Sequence, residues 1–206
     1  MGVAVFYDLH QLSTAVYMPN GQTRWPEEVM LMSRGIYPTG SGMHGLWVQS
    51  AFSVVCDYES WERELLNDKD IERHIANGHF IPLNIGADGA MEIEIRCGNG
   101  IDAAVLSDRE KLYLVVSSEP YRLHASGPVC VSGIEYVAVP PESGVGTVAV
   151  PPGEYAVTVH LIAWDEEPGM MTEDGPAPGA LPDFVVLVNP ANSEASYRLK
   201  VQTFDR

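Results

Sequence analysis

A net charge of −16 over 206 residues sets up a field that repels nucleic-acid phosphates and anionic membranes and attracts basic partners. An apolar fraction of 46% with 19% charged residues excludes a disordered chain. No apolar run approaches the roughly 20 residues of a membrane helix, and the Met1 end shows no basic segment followed by an apolar one.

Residues 3–7 (VAVFY) and 14–18 (TAVYM) read as short strands, rich in β-branched and aromatic residues. Pro19-Asn20-Gly21 is a turn. Trp25-Pro26 opens a predicted short helix through Glu27 and Glu28 to Met32, and Gly35 stops it. Pro in the first turn and acids at the positive end of the dipole favour that start. Residues 38–45 read as a Gly-rich loop; without a GxxxxGK[ST] pattern it is no phosphate cradle. Residues 46–55 resume a strand-like apolar run, and Cys56 at its end reads as core. From Asp57 to Asn77 the period changes. Trp61 and Leu65 are four apart, as are Ile71 and Ile75, so each pair shares a helical face. Asn67-Asp68 interrupts the pattern, giving one kinked helix or two short ones, ended by Gly78.

Strands dominate after Gly78. Residues 79–85 end in the turn Gly86-Ala87-Asp88-Gly89. In 90–97, Met91, Ile93, Ile95 and Cys97 alternate with Glu92, Glu94 and Arg96, the pattern of a strand with one wet face. Further strands are predicted at 112–118, 122–126, 129–139, 147–150, 184–188 and 197–204. The strongest signal runs from Gly144 to Asp165. There Pro151-Pro152-Gly153 makes a turn, and Tyr155, Val157, Val159, Leu161 and Ala163 fall on one face of the strand that follows. That face needs a second layer to cover it. The expected fold is mainly β within the α+β class: an antiparallel sandwich or barrel-like arrangement with one helical segment around 57–77. A single domain over 1–206 is expected; the alternative division is a mixed α/β part at 1–78 and a β-sandwich part at 79–206.

Motifs for chemistry are sparse. A cupin-type metal site needs an HxH pair, which the chain lacks. His74 and His79 are five apart, not the four that stack two ligands on a helix. There is no GxSxG elbow. Ser41 and His44 are neighbours in sequence only, and triads are recognised by spatial geometry. Glu92 and Glu94 share a strand face at a spacing of about 7 Å, where solvation is the ordinary role. Trp25, Trp47, Trp61 and Trp164 read mostly as core. No catalytic residue, metal or cofactor is therefore expected. Whether His10, His44, His74, His79, His124 or His160 converge stays open. Cys56, Cys97 and Cys130, widely spaced and without a CxxC pair, read as reduced thiols of a cytoplasmic protein.

Charge distribution is more informative. From Leu123 to Tyr197 there is no Lys or Arg, while acids continue throughout. Within that stretch, residues 165–182 are acidic and rich in Pro, Gly and Met, and read as a long exposed loop. Asp165, Glu166, Glu167, Met170, Met171, Glu173 and Asp174 are the candidate binding residues: acids steer a basic partner, and methionine adapts to its surface. The helix leading to His79-Phe80-Ile81-Pro82, the turn at 86–89 and PPGEYAVTVHLIAW at 151–164 resemble small uncharacterised bacterial β-rich proteins of toxin–immunity neighbourhoods. The resemblance implies a binding protein without chemistry. The leading expectation is thus a non-enzymatic, immunity-type or regulatory protein that engages a basic protein partner. The alternatives are an enzyme or small-ligand binder with a pocket in or at the mouth of the sandwich, and a subunit pairing its strands with a second copy.

Overall fold

The strand predicted after the double proline is the longest among the described residues. In the computed structural model it covers Gly153–Ile162 and buries Tyr155, Val157, Val159 and Leu161 on one face. The structure describes residues 16–17, 23–24, 31–98, 102–141, 144–192 and 195–205. In chain order the elements are β1 (Val16–Tyr17), β2 (Thr23–Arg24), β3 (Leu31–Thr39), β4 (Met43–Val48), α1 (Tyr58–Leu65), α2 (Asp68–Ala76), β5 (Phe80–Asn84), β6 (Gly89–Cys97), α3 (Asp108–Leu112), β7 (Leu114–Ser117), β8 (Tyr121–Ala125), β9 (Val129–Gly133), β10 (Gly146–Val148), β11 (Gly153–Ile162), β12 (Met171–Thr172), β13 (Gly175–Pro176) and β14 (Phe184–Pro190).

Two sheets carry the fold. The smaller is antiparallel, in the order β10-β9-β4-β5. The larger runs β3-β6-β14-β11, and β11 pairs along its far edge first with β8 and then with β7. One neighbour relation in it, β6 with β14, is parallel. The sheets share one apolar core, in which Leu46, Trp47, Phe80, Ile81 and Val131 of the small sheet meet Ile93, Ile95, Val157, Val159 and Val186 of the large one. A second cluster covers the outer face of the large sheet: Ala104, Leu106 and Leu181 pack on Ile162, Val185 and Leu187. The result is mainly β with few helices, and the strands do not close into a barrel.

The turns at 86–89 and 151–153 are not hairpins. Each carries the chain between sheets: β5 and β10 belong to the small sheet, β6 and β11 to the large one. The ribbon ending at the prolines is in this way laid on its companion layer. The two-helix alternative for 57–77 is realised. Asp57 caps α1 through Ser60, and Gly78 ends α2 at φ 72°, a conformation that suits glycine.

Several expectations are corrected. Leu31 and Met32, expected in a helix, open β3, and Gly35, expected to stop it, lies mid-strand. Nine register pairs with β6 outweigh local helix propensity, and Gly35 lacks the Cβ that would press on the Tyr37 ring. The start of that helix, 25–30, and the strand at 3–7 lie outside the described residues. The loop expected at 38–45 shrinks to a tight turn at 40–42, with His44 and Gly45 buried in β4. Residues 49–52 form a 3-10 turn rather than strand, which leaves Cys56 exposed. The strand expected at 129–139 stops at Gly133 and gives way to a second such turn. Residues 197–204 form no strand; Thr203 makes one isolated bridge to Asn84.

The wet face expected for β6 is also covered. Glu94 and Glu110 are 4% and 1% exposed, and Arg96 lies between them. Its Nε–H donates to Glu94 Oε1 at 2.6 Å and its Nη1–H to Glu110 Oε2 at 2.9 Å, while Nη2 pairs with Glu110 Oε1. The lid is α3, capped by Ser107 and Glu110 in a reciprocal box. Hydrogen bonding to Arg96 holds the Glu110 carboxyl below the usual carboxylate range, although burial pushes the other way.

Candidate functional site

At one end of the sandwich the β3–β4 and β5–β6 connections touch. The Gly42 carbonyl accepts the N–H groups of Ile85 (2.9 Å) and Gly86 (3.0 Å). Beside these turns lies a groove of about 440 Å³, with Met91, Leu161, Trp164 and Phe204 as apolar lining and Asp88, Asp183 and Asp205 as carboxylates.

The geometry follows from the end of β11. Pairing with β7 slips between Leu161 and Ile162, and such bulges redirect the chain. A 3-10 turn at Trp164–Glu166 follows. The Trp164 indole Nε1–H donates to Asp183 Oδ1 at 2.7 Å, and the Glu92 backbone N–H donates to Asp183 Oδ2 at 2.8 Å. Asp183 thereby joins the end of β11 to β6 and is fixed in the groove wall. No Lys, Arg or His stands among the described lining residues. Carboxylates set in a partly apolar concavity focus a negative potential there, which suits an ammonium or guanidinium group with an alkyl stem.

Trp164 and Asp183 also bound the acidic segment singled out from sequence. That segment is built rather than loose. Met170 N–H donates to Glu167 O, Ala177 N–H to Met170 O, and β12 pairs with β13. Glu173 and Asp174 sit exposed at the tip of this hairpin, and Met171 is 54% exposed. Glu166 is exposed, while Asp165 and Met170 are half-buried. Glu167 has a partner in Arg109, whose Nη2–H reaches Glu167 Oε2 at 2.6 Å and Gly179 O at 3.0 Å. The hairpin therefore presents its charge mainly through Glu166, Glu173 and Asp174.

The histidines divide into separate places. His10 lies outside the described residues. His44 is buried and donates from Nε2 to Tyr37 O at 2.8 Å; burial lowers its pKa. His160 reaches Ser117 Oγ (2.8 Å) and Thr158 Oγ1 (3.0 Å), and burial lowers its pKa too. His74 and His79 come together, ring centroids 6.2 Å apart, and His124 acts electrostatically on His79. The His74 ring lies tilted against Phe52, centroids 4.5 Å apart, and meets Glu64 at 3.1 Å, and its Nδ1 has no partner. No group of three metal-binding side chains occurs among the described residues. Glu92 and Glu94 are both engaged by Arg34. Of the tryptophans, Trp47 is core and bonds Ser132, Trp61 and Trp164 line grooves, and Trp25 lies outside the described residues.

Asp88, Met91, Asp183, Phe204 and Asp205 were not legible as a site. They come from three separate segments of the chain, and only the bounding Trp164 carried a local signal.

No family model and no curated protein matches this chain. Among solved structures, one described as crocagin biosynthetic gene J is similar in fold, with a TM-score of 0.54 at 15% identity, covering 80% of this chain and 100% of its own. Another is ComJ from Bacillus subtilis, described as the inhibitor of the DNA-degrading activity of NucA. Its TM-score is 0.46 at 8% identity over the same coverages, a level of likeness on which nothing about this chain is built. No helix among the described residues is long and apolar enough to cross a membrane.

Proposed function

We propose that the protein is a non-enzymatic, cytoplasmic binding protein of immunity or regulatory type, which engages a basic protein partner through the acidic end of its sandwich. One observation carries this reading. The groove that holds Asp88, Asp183 and Asp205 is lined by the two residues, Trp164 and Asp183, that flank the acidic segment in sequence. The hairpin tip, with Glu173 and Asp174, and the groove lining both carry acids, while Arg109 and Arg34 hold the segment's backbone at Gly179 and Ala180. Such surfaces raise association rates and select against acidic competitors.

The test is binding of a purified partner, identified by cross-linking. Affinity is expected to fall about tenfold or more between 50 and 300 mM salt. It is expected to fall again for the doubly reversed variants Glu173→Lys/Asp174→Lys and Asp88→Lys/Asp205→Lys. A partner whose contact surface is acidic, or binding indifferent to both salt and these reversals, overturns the reading.

The groove's size favours a second reading. A volume of about 440 Å³ lies within the roughly 300–1,000 Å³ of small-molecule sites. An organic cation would fit the same walls. Calorimetry with small amines separates the two, since a partner-only site gives no heat with them.

A further inference from the structure

Ser41, in the β3–β4 turn that meets the turn lining the acidic groove, also lines a second groove. The residues before α1 and the segment 135–138 enclose about 480 Å³ there, with Val55, Val137 and Ala138 forming an apolar wall. The open rim is aromatic. Tyr58 and Trp61 stand three apart on α1 and so share a helical face. Their rings lie 15° from parallel with centroids 6.1 Å apart. The indole is fixed, because Trp61 Nε1–H donates to Ile134 O at 2.8 Å. Tyr58 is 70% exposed and Leu66 54% exposed, a concentration of apolar surface that folding alone does not call for.

The charge in this groove is again of one sign. Asp57 and Glu135 are its charged lining residues, with no Lys, Arg or His among those described; Arg63 of α1, outside the lining, acts electrostatically on Asp57. Both carboxylates are held. Asp57 Oδ1 accepts the Ser60 N–H at 2.8 Å, and Glu135 accepts the Gly40 N–H at 2.6 Å and the Thr39 hydroxyl at 3.0 Å. Glu62 adds a further acid beside the Tyr58 hydroxyl. Aromatic faces with fixed carboxylates at one end form a receptor for a cation on an alkyl stem.

We infer that this groove receives a lysine or arginine side chain of the basic protein partner, with its stem on Tyr58 and Trp61 and its head toward Asp57 and Glu135. The inference rests on the partner reading above and adds where one of its side chains docks. The occupant is a protein and not a free amine, because the lining itself includes the exposed Tyr58 and Leu66, more apolar surface than the stem of a small amine covers. Ser41 lines this groove and Asp88 the acidic one, and their turns are joined at the Gly42 carbonyl, so a single basic segment laid across the joined turns would reach both.

The experiment uses the full chain and an eight-residue arginine–serine peptide, with a glutamate–serine peptide as control, followed by ¹H–¹⁵N NMR. The Trp61 indole N–H and the amides of 57–61 are expected to shift saturably with the arginine peptide and not with the control. Tyr58→Ala is expected to weaken binding about tenfold while leaving the melting midpoint unchanged, since this ring is exposed. Shifts confined to Asp88, Asp205 and the hairpin, with Trp61 silent, overturn this inference and leave the partner reading standing. Absence of any response to the arginine peptide, at either groove, overturns both.

Discussion

Glu110→Ala tests whether the covered charge network holds α3 on the large sheet. The substitution removes a carboxylate that is 1% exposed. It ends both bonds from Arg96 and the bond from the Ser107 N–H at 2.7 Å. Breaking one partner of a buried ion pair costs about 3–5 kcal/mol. Arg96 keeps Glu94 at 2.6 Å, which places the expected loss at the low end, about 3 kcal/mol, with loss of the cap adding about 1 kcal/mol. With a urea slope of about 2.5 kcal/mol per M for a chain of this size, the unfolding midpoint should drop by about 1.5 M. Glu110→Gln keeps the shape and one acceptor and should lose only about 1–2 kcal/mol. In the double variant Arg96→Met/Glu110→Ala the buried Glu94 keeps, among the described residues, only Arg34 at 3.5 Å, but each single variant already breaks the Arg96–Glu110 pair, so the double loss should fall at least about 1 kcal/mol short of the sum of the singles. Circular dichroism and tryptophan fluorescence should report the same midpoint. A drop below about 1 kcal/mol for Glu110→Ala, or a double variant as unstable as the sum of the singles, refutes the argument that this network is desolvated and mutually dependent.

Arg109→Ala should free Glu167 and the carbonyl of Gly179 and so speed hydrogen exchange and protease nicking across 165–180. Global stability should change by less than about 1 kcal/mol, because the pair is exposed; unchanged exchange in the segment counts against Arg109 as its anchor. Cys56 should react with a thiol reagent in the native protein. Cys97 and Cys130, buried and pushed up to about 11 by burial, should react only on unfolding; native labelling of all three contradicts the packing. For His74, burial first, and Arg73 second, lower the pKa from 6.5. The unfolded chain therefore binds this proton more readily, and the stability it contributes is present above about pH 6.5 and lost as pH falls through the folded-state value. His74→Gln should flatten the urea midpoint's dependence on pH between 7 and 5 by up to about 1.4 kcal/mol per pH unit. A profile identical to that of the parent chain is the opposing result.

Legibility followed the range of the interactions. The two faces of β11 and the four-residue spacing in α1 and α2 are local patterns, and both survive in the structure. β3 was misread because Pro26, Glu27 and Glu28 offer a good helix start while its partner β6 lies some sixty residues away in sequence. α3 was missed, although Ser107 and Glu110 spell a capping box; at five residues it shows no periodicity. The covering of Glu94 could not be read from alternation, since the residues that cover it come from a different stretch. The acidic segment was legible as charge. The grooves were not, because each is assembled from segments far apart in the sequence.

The middle position of β14 has a consequence for how the molecule comes into being. This strand, Phe184–Pro190, lies between β6 and β11 and supplies the parallel seam of the large sheet. Until it arrives, the β3–β6 half and the β11–β7–β8 half have no backbone contact through their shared centre. During synthesis the inner edges of β6 and β11 must wait unpaired for a segment made after both of them. Late closure of that kind makes folding slow and leaves newborn chains prone to clumping.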